Sequence, residues 1–396
     1  MLPLLQGVRI IEVGAVVLGP YAGQILADLG AEVIKVEALE GDIARNAHPA
    51  GPGGGALFVN NNRNKRMLAI DLKEPEGKAA LARLIGTADV LFHNMRVDAA
   101  VRLGLGFEAV AAINPGIIHC AAIGFGQRGP YRDRPAFDDI IQAASGLAGL
   151  EAATGADPRF VPTVLADKVA ALHAVYGIMA ALVARANGRS GAIKVEVPMF
   201  EALAAFLLNE HLAGATFAAD GEPGYPRILS PNRRPFRTAD GWIAVLPYTD
   251  RQWRSFLTEV GRDDVIAQPW FVDPRERPAH IDTLYAIVAE SLPARTTALW
   301  LEALSGRDIP CSRVPDLPGL LDDPHLAEIG FFDVPPGYPE GIRRTLPQPV
   351  LFDGVAPVPD IAPRALGADS RAILREVGLD DSEVDTLIGS GVVGAA

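Results

Sequence analysis

Cysteine is nearly absent: Cys120 and Cys311 are the two thiols in 396 residues. So few exclude a disulfide-built scaffold and fit a reducing compartment, so cytoplasm is the expected location. Positive charge is short as well. Lys and Arg number 36 against 48 Asp and Glu, a net charge of −12, which repels polyanions and argues against nucleic acid as a partner. The early uncharged stretch from Val13 to Ala27 is broken by Gly14, Gly19, Pro20 and Gly23 and is too short to span a bilayer. The opening MLPLLQGVRIIEV has neither a basic segment before its apolar residues nor a small-residue cleavage site, so neither secretion nor membrane insertion is expected. Also missing are H-E-x-x-H, paired C-x-x-C, G-x-S-x-G and Gly-Lys-Ser/Thr, which removes the usual support for metal hydrolysis, serine-hydrolase chemistry and a Walker-type phosphate cradle. None of the seven histidines pairs with another at a ligand spacing. No metal is expected.

What is present is globular material. Hydrophobic residues at 49% and charged residues at 21% rule out intrinsic disorder and fibrous architectures. The length gives two or three domains, or one large α/β unit with an insertion. The 40 glycines and 32 prolines are scattered without period and mark many tight connections. A strand over residues 8–13, a helix over 21–29 and a strand over 31–37 form a βαβ unit. The alternation continues with a helix over 75–85, a strand over 89–92, a helix over 99–113 and a strand over 116–123. This pattern predicts an α/β fold with a parallel sheet covered on both faces. Leu172, Val175, Met179 and Leu182 recur at helical spacing over 167–186, predicting a helix buried nearly all round. A strand closes 188–198 and a helix follows over 199–212. The αβ pattern then breaks over 213–240, and 241–315 holds all four tryptophans, reading as a second, smaller domain. The proline-rich tail beyond 330 wraps a folded body and ends in a helix over 370–377.

Three features carry candidate chemistry. GFGQRG, residues 124–129, matches the dinucleotide pattern G-x-G-x-x-G, yet Pro130 follows directly and residues 143–147 are Ala, Ala, Ser, Gly and Leu, so neither the helix nor the acidic residue that the motif requires is expected. The basic run NNNRNKR at 60–66, with Lys73, Arg96, Arg102, Arg128, Arg132 and Arg134, either converges at the strand ends as a positive cleft or balances the many acids as solvated charge. Asp167 precedes the apolar helix. It serves as a helix cap, as a nucleophile held ionised by the helix dipole, or as both.

LQGVRIIEV, GPYAGQILADLGAEVIKVE with Gly41-Asp42, NRNKRMLAIDLK, ADVLFHNM, NPGIIHCAAIGFGQRGPY and LADKVAALHAVYGIMAAL followed by GRSGAIKVEVP together resemble the family III coenzyme A transferases. That family includes formyl-CoA transferase, carnitine CoA transferase and α-methylacyl-CoA racemase. The resemblance is dense over 3–200 and continues through SPNRRPFRTADGWIAV to the end. It implies a large Rossmann-like domain (1–212), a linker (213–240), a small α/β domain (241–315) and a return segment (316–396) completing the large domain, in an interlocked homodimer. It implies an enzyme that moves CoA from an acyl-CoA to a small carboxylic acid, with CoA as substrate. Asp167 matches the family's nucleophile. Val17, Leu18, Ile70, Asp71, Leu72, Lys73, Asn94, Met95, Arg96 and Arg102 match its CoA contacts, and Arg134 and Phe137 fall near the pantetheine or thioester.

The sequence departs from the family in places. Ala38 stands where an arginine often meets the nucleotide, and no glycine-rich loop precedes residue 240, which disfavours oxalate. At the positions matching the racemases' acid/base pair stand Phe137 and Thr249, neither of which transfers a proton at neutral pH. An acyl-CoA racemase or epimerase is therefore the runner-up, and a nucleotide-binding oxidoreductase using GFGQRG is the alternative from another class. Arg233, Arg234 and Arg237 with Tyr225 and Tyr248 are candidates either for holding a second carboxylate or for a basic linker packed on a partner chain.

Overall fold

The apolar segments of the first half lay down parallel strands joined by helices in a computed structural model that describes residues 2–357 and 361–396. In chain order these elements are β1 (Arg9–Val13), α1 (Leu18–Asp28), β2 (Glu32–Glu37), β3 (Lys65–Ile70), α2 (Pro75–Ile85), β4 (Val90–His93), α3 (Val97–Arg102), α4 (Phe107–Ile113), β5 (Ile118–Ile123), α5 (Asp138–Ala144), α6 (Leu165–Ala186), β6 (Ile193–Pro198) and α7 (Met199–His211). The later elements are β7 (Phe236–Arg237), β8 (Trp242–Val245), α8 (Asp250–Glu259), α9 (Ile281–Ser291), α10 (Thr297–Ser305), β9 (Cys311–Arg313), α11 (Ser370–Glu376), α12 (Asp381–Gly389) and β10 (Val393–Gly394). Two compact units result. The first takes residues up to 148, 160–207 and those from 327 on, and the second takes 149–159 and 208–326. The segment read as a linker (213–240) and the small domain (241–315) both fall in the second unit.

The first unit holds a seven-stranded sheet in the order β10-β3-β2-β1-β4-β5-β6. All pairs are parallel except β10 with β3. Neighbouring residues point to opposite faces, and both faces are covered. Ile10, Val33, Val90 and Ile118 meet α1 and α6 on one side. Ile11, Ile34, Leu68 and Leu91 meet α2, α11 and α12 on the other. Burial on both sides is why these strands read as largely apolar runs, interrupted in β1 and β2 by the buried charges Glu12 and Lys35.

Some expectations need correction. The helix over 99–113 is two helices, α3 and α4, because Gly104 turns at φ 82° and the Leu105 N–H donates back to the Ala100 carbonyl. Strand β3 was not anticipated, since Lys65 and Arg66 open it inside a polar run. α6 starts at Leu165, two residues before the expected position, and is not buried all round. Its alanine-rich face, with Ala166, Ala170, Ala174, Ile178 and Ala181, is in the core, while Leu172, Tyr176 and Val183 are exposed. Its length of 22 residues and mean hydropathy of 1.7 also satisfy the composition of a membrane span.

The second unit is built on a small antiparallel sheet, β9-β8-β7. Its core gathers Trp253, Phe256, Phe271, Tyr285 and Trp300.

Candidate active site

α1 leads from β1 to β2 and α6 leads into β6, all parallel strands. Both helices therefore have their N-termini at the carboxyl edge of the sheet, where open α/β sheets bind ligands. Asp167 lies in the first turn of α6. Val17 and Leu18 lie at the start of α1, Asp71, Leu72 and Lys73 follow β3, and Asn94, Met95 and Arg96 follow β4. Topology thus puts residues from four distant segments on one rim.

Asp167 is not a cap. Val164 occupies the cap position without a side-chain bond, and Asp167 is the third helical residue. Its backbone N–H donates to Asp138 Oδ1 at 2.9 Å. Its half-buried carboxylate accepts no hydrogen bond among the described residues. Burial, and after it the charge of Asp138, push the Asp167 carboxyl up to about 7. The sequence predicts a carboxylate held ionised by the helix dipole; among the described residues no N–H donor is aimed at it, and burial and Asp138 act in the opposite direction.

Asp138 opens α5 and is 7% exposed. Gln142 Nε2 donates to its Oδ2 at 2.6 Å, while Gln142 Oε1 accepts from the Val161 N–H at 2.9 Å. One glutamine therefore fixes both Asp138 and the segment entering α6. Sequence reading missed Asp138. Its local signal is an acidic residue in a helix's first turn, which is ordinary dipole chemistry.

The loop after β1 rests on a buried charge cluster. Glu12 bridges Lys35, at 3.2 Å, and Lys65, at 2.8 Å, and all three side chains are fully buried. Lys35 also reaches Asp42 Oδ2 at 3.1 Å and donates to the Gly14 carbonyl at 2.5 Å. Burial pushes the Lys35 ammonium down, but Glu12, Asp42 and Glu37 together outweigh it and leave it raised. Burial lowers Lys65 to about 8, with Glu12 offsetting only part. Asp42 in turn accepts the Val16 N–H at 3.1 Å, and Asn94 clips Ala15 through both its oxygen and its nitrogen at 3.0 Å. These anchors hold Val16 at φ 68°, a left-handed conformation that costs a β-branched residue about 1–3 kcal/mol.

The basic residues do not form a common cleft. Arg63 is bound by Asp28, Lys65 by Glu12, Arg66 by Glu32 and Glu376, and Arg102 by Asp98. Lys73 and Arg96 are exposed, and Arg134 lies 3.8 Å over the Tyr131 ring. Val17, Leu18, Ile70 and Leu72 are buried, whereas Phe137 is 77% exposed. Thr249 caps α8 by accepting the Gln252 N–H, and no acid or base stands at Phe137 or Thr249. In GFGQRG no helix opens before Asp138, and the Gly126 and Gln127 amides already donate to Glu201 and Glu196. His93 and His119, 26 positions apart in sequence, stand with ring centroids 5.2 Å apart, a pairing that no sequence spacing announced.

Residues 5–369 match the family model for CoA-transferase family III. The chain belongs to this family and is a CoA-transferase. It is 32% identical to a succinate–glutarate CoA-transferase of Agrobacterium fabrum over 83% of this chain and 84% of that protein. It is likewise 32% identical to a succinyl-CoA–D-citramalate CoA-transferase of Chloroflexus aurantiacus over 81% of each chain. Among solved structures, a CAIB/BAIF family protein from Brucella suis superposes with a TM-score of 0.80 at 27% identity, covering 95% of this chain and 99% of that one.

Proposed function

We propose that this enzyme moves coenzyme A from an acyl-CoA donor to a small carboxylic acid through covalent intermediates on Asp167. The observation that carries the reading is the Asp167 carboxyl itself. It is half-buried at the sheet's carboxyl edge, free of hydrogen bonds among the described residues, and pushed up to about 7 by burial and Asp138. A carboxylate deprived of water and donors is a better nucleophile than a solvated one.

In this cycle an Asp167 oxygen attacks the thioester carbonyl, the C–S bond breaks, and CoA leaves as thiolate from a mixed anhydride. The thiolate attacks the Asp167 carbonyl carbon, expelling the donor's carboxylate and leaving an aspartyl-CoA thioester. The acceptor carboxylate displaces the thiolate to form a second anhydride. The thiolate then takes the acceptor's acyl group and restores the Asp167 carboxylate. No net proton is consumed. Val17, Leu18, Ile70 and Leu72 would meet CoA through their backbone, with Asp71, Asn94 and Met95 beside them. Lys73, Arg96 and Arg102 supply cations for its phosphates, and Arg134 and Phe137 flank the thioester. Two copies of the chain form the enzyme in this reading, which the exposed apolar stripe Leu172, Tyr176 and Val183 on α6 supports.

The test is hydroxylamine trapping. Enzyme incubated with an acyl-CoA and hydroxylamine, then digested and weighed, is expected to carry a hydroxamate on the peptide containing Asp167. Turnover with that peptide unmodified overturns the mechanism.

A further inference from the structure

Asp42, in the Gly41-Asp42 pair that follows β2, is none of the residues matched to CoA, yet its side chain reaches the loop between β1 and α1. Gly41 turns the chain at φ 77°, and Glu37 Oε1 accepts the Asp42 N–H at 2.9 Å, so the residue is fixed from its backbone outward. Its side chain is 1% exposed. Oδ1 accepts the Ala44 N–H at 3.0 Å and the Val16 N–H at 3.1 Å, while Oδ2 lies 3.2 Å from that same Val16 nitrogen and 3.1 Å from Lys35 Nζ. Burial disfavours the charge, but Lys35 and the two amides outweigh it and hold Asp42 below the ordinary carboxylate range. An asparagine cannot copy this set, because its NH2 would face either Lys35 or the two N–H groups.

The bond matters because of where Val16 sits. A Cβ on Gly19 would stand 2.9 Å from the Gly14 Cα, so the loop folds directly onto the first turn of α1. Val17 occupies the cap position of α1 and makes no side-chain cap bond. Asn94 clamps Ala15 but leaves the Val16 N–H to Asp42. The direction in which Val17 and Leu18 leave the loop is therefore set by the Val16 φ of 68°, which an unrestrained valine avoids. Released from Asp42, Val16 would relax to negative φ and carry Val17 and Leu18 with it. Glycine in its place would take either sign of φ at similar cost. We propose that Asp42 is a positioning residue for coenzyme A: it holds Val16 in the left-handed conformation and thereby keeps Val17 and Leu18 in place for the ligand. The proposal rests on the reading of Val17 and Leu18 as CoA contacts.

The test compares wild type, Asp42→Asn, Val16→Gly and the double variant, with melting temperatures checking that each folds. Asp42→Asn is expected to raise KM for an acyl-CoA about 10- to 100-fold while kcat stays within about threefold, the pattern of lost binding rather than of a smaller folded fraction. Made on top of Val16→Gly, the same substitution is expected to raise KM less than about fivefold. Val16→Pro leaves Asp42 on Lys35 but locks φ near about −65°, so it is expected to raise KM as Asp42→Asn does, and it decides the matter if Asp42→Asn does not fold. Calorimetric titration of coenzyme A, independent of turnover, is expected to weaken in the same order. Hydrogen exchange in the peptide containing Val16 is expected to quicken in Asp42→Asn. An unchanged KM in Asp42→Asn or Val16→Pro, or a loss confined to kcat, overturns the proposal. So does an equal rise in KM with and without Val16→Gly, which would assign the loss to the Lys35 charge. If exchange quickens while coenzyme A binding does not move, the reading of Val17 and Leu18 as CoA contacts fails, and the positioning role with it. If exchange does not quicken, Asp42 does not hold the loop, and the proposal fails while that reading stands.

Discussion

At the scale of single residues, the proposed chemistry turns on two carboxylates. Asp167 titrates near 7 because burial and the Asp138 charge disfavour its ionised form. The protonated acid is not nucleophilic, so kcat/KM for an acyl-CoA is expected to rise with pH through about 7 and level off above it. Asp138→Asn keeps an oxygen for the Asp167 amide and removes the charge, so the limb should move to lower pH by about one unit. It should stay above the ordinary aspartate range, since burial remains. A stopped assay across pH 5–9 checks both outcomes, and an unmoved limb means that Asp138 does not act on Asp167. Asp167 was legible through its motif, whereas Asp138 was not. The contact spans 29 residues and is made by Gln142 holding two segments together, which leaves no periodic trace in the sequence.

The elements show why one kind of structure was legible and another was not. Parallel strands buried on both faces announce themselves as apolar runs, and the helix over Pro75–Ile85 fell where the sequence put it. β3 hid behind charges that are ion-paired rather than solvated, and α6 turned its alanines inward where leucine spacing pointed elsewhere. The packing of α1 over the buried cluster also depends on an element-level detail. A Cβ at Gly23 would stand 1.9 Å from Glu12 Oε2. Gly23→Ala must displace a carboxylate that neutralises Lys35 and Lys65, and it is expected to cost about 3 kcal/mol in urea unfolding. A loss below about 0.5 kcal/mol, the size typical of neutral surface changes, would show that the cluster readily relaxes.

For the whole molecule, the exposed Leu172, Tyr176 and Val183 leave an apolar stripe on a helix whose opposite face is core. Light scattering is expected to give twice the chain mass, and Tyr176→Glu is expected to shift it toward one chain. A wild-type mass of one chain removes the dimer from the proposal. The sheet itself is finished by a segment some three hundred residues after β3. Gly394 and Val393 pair with Ala69 and Ile70, and Asp369 and Ser370 bond the Met67 and Ala69 amides. During synthesis β3 therefore waits with an open edge until residues 369–394 have been made. The nascent protein must keep this edge from sticking to neighbours while some three hundred residues between β3 and its partner are made, so loss or disruption of Val393–Gly394 would be felt first as poor yield of native enzyme, before any change in its chemistry.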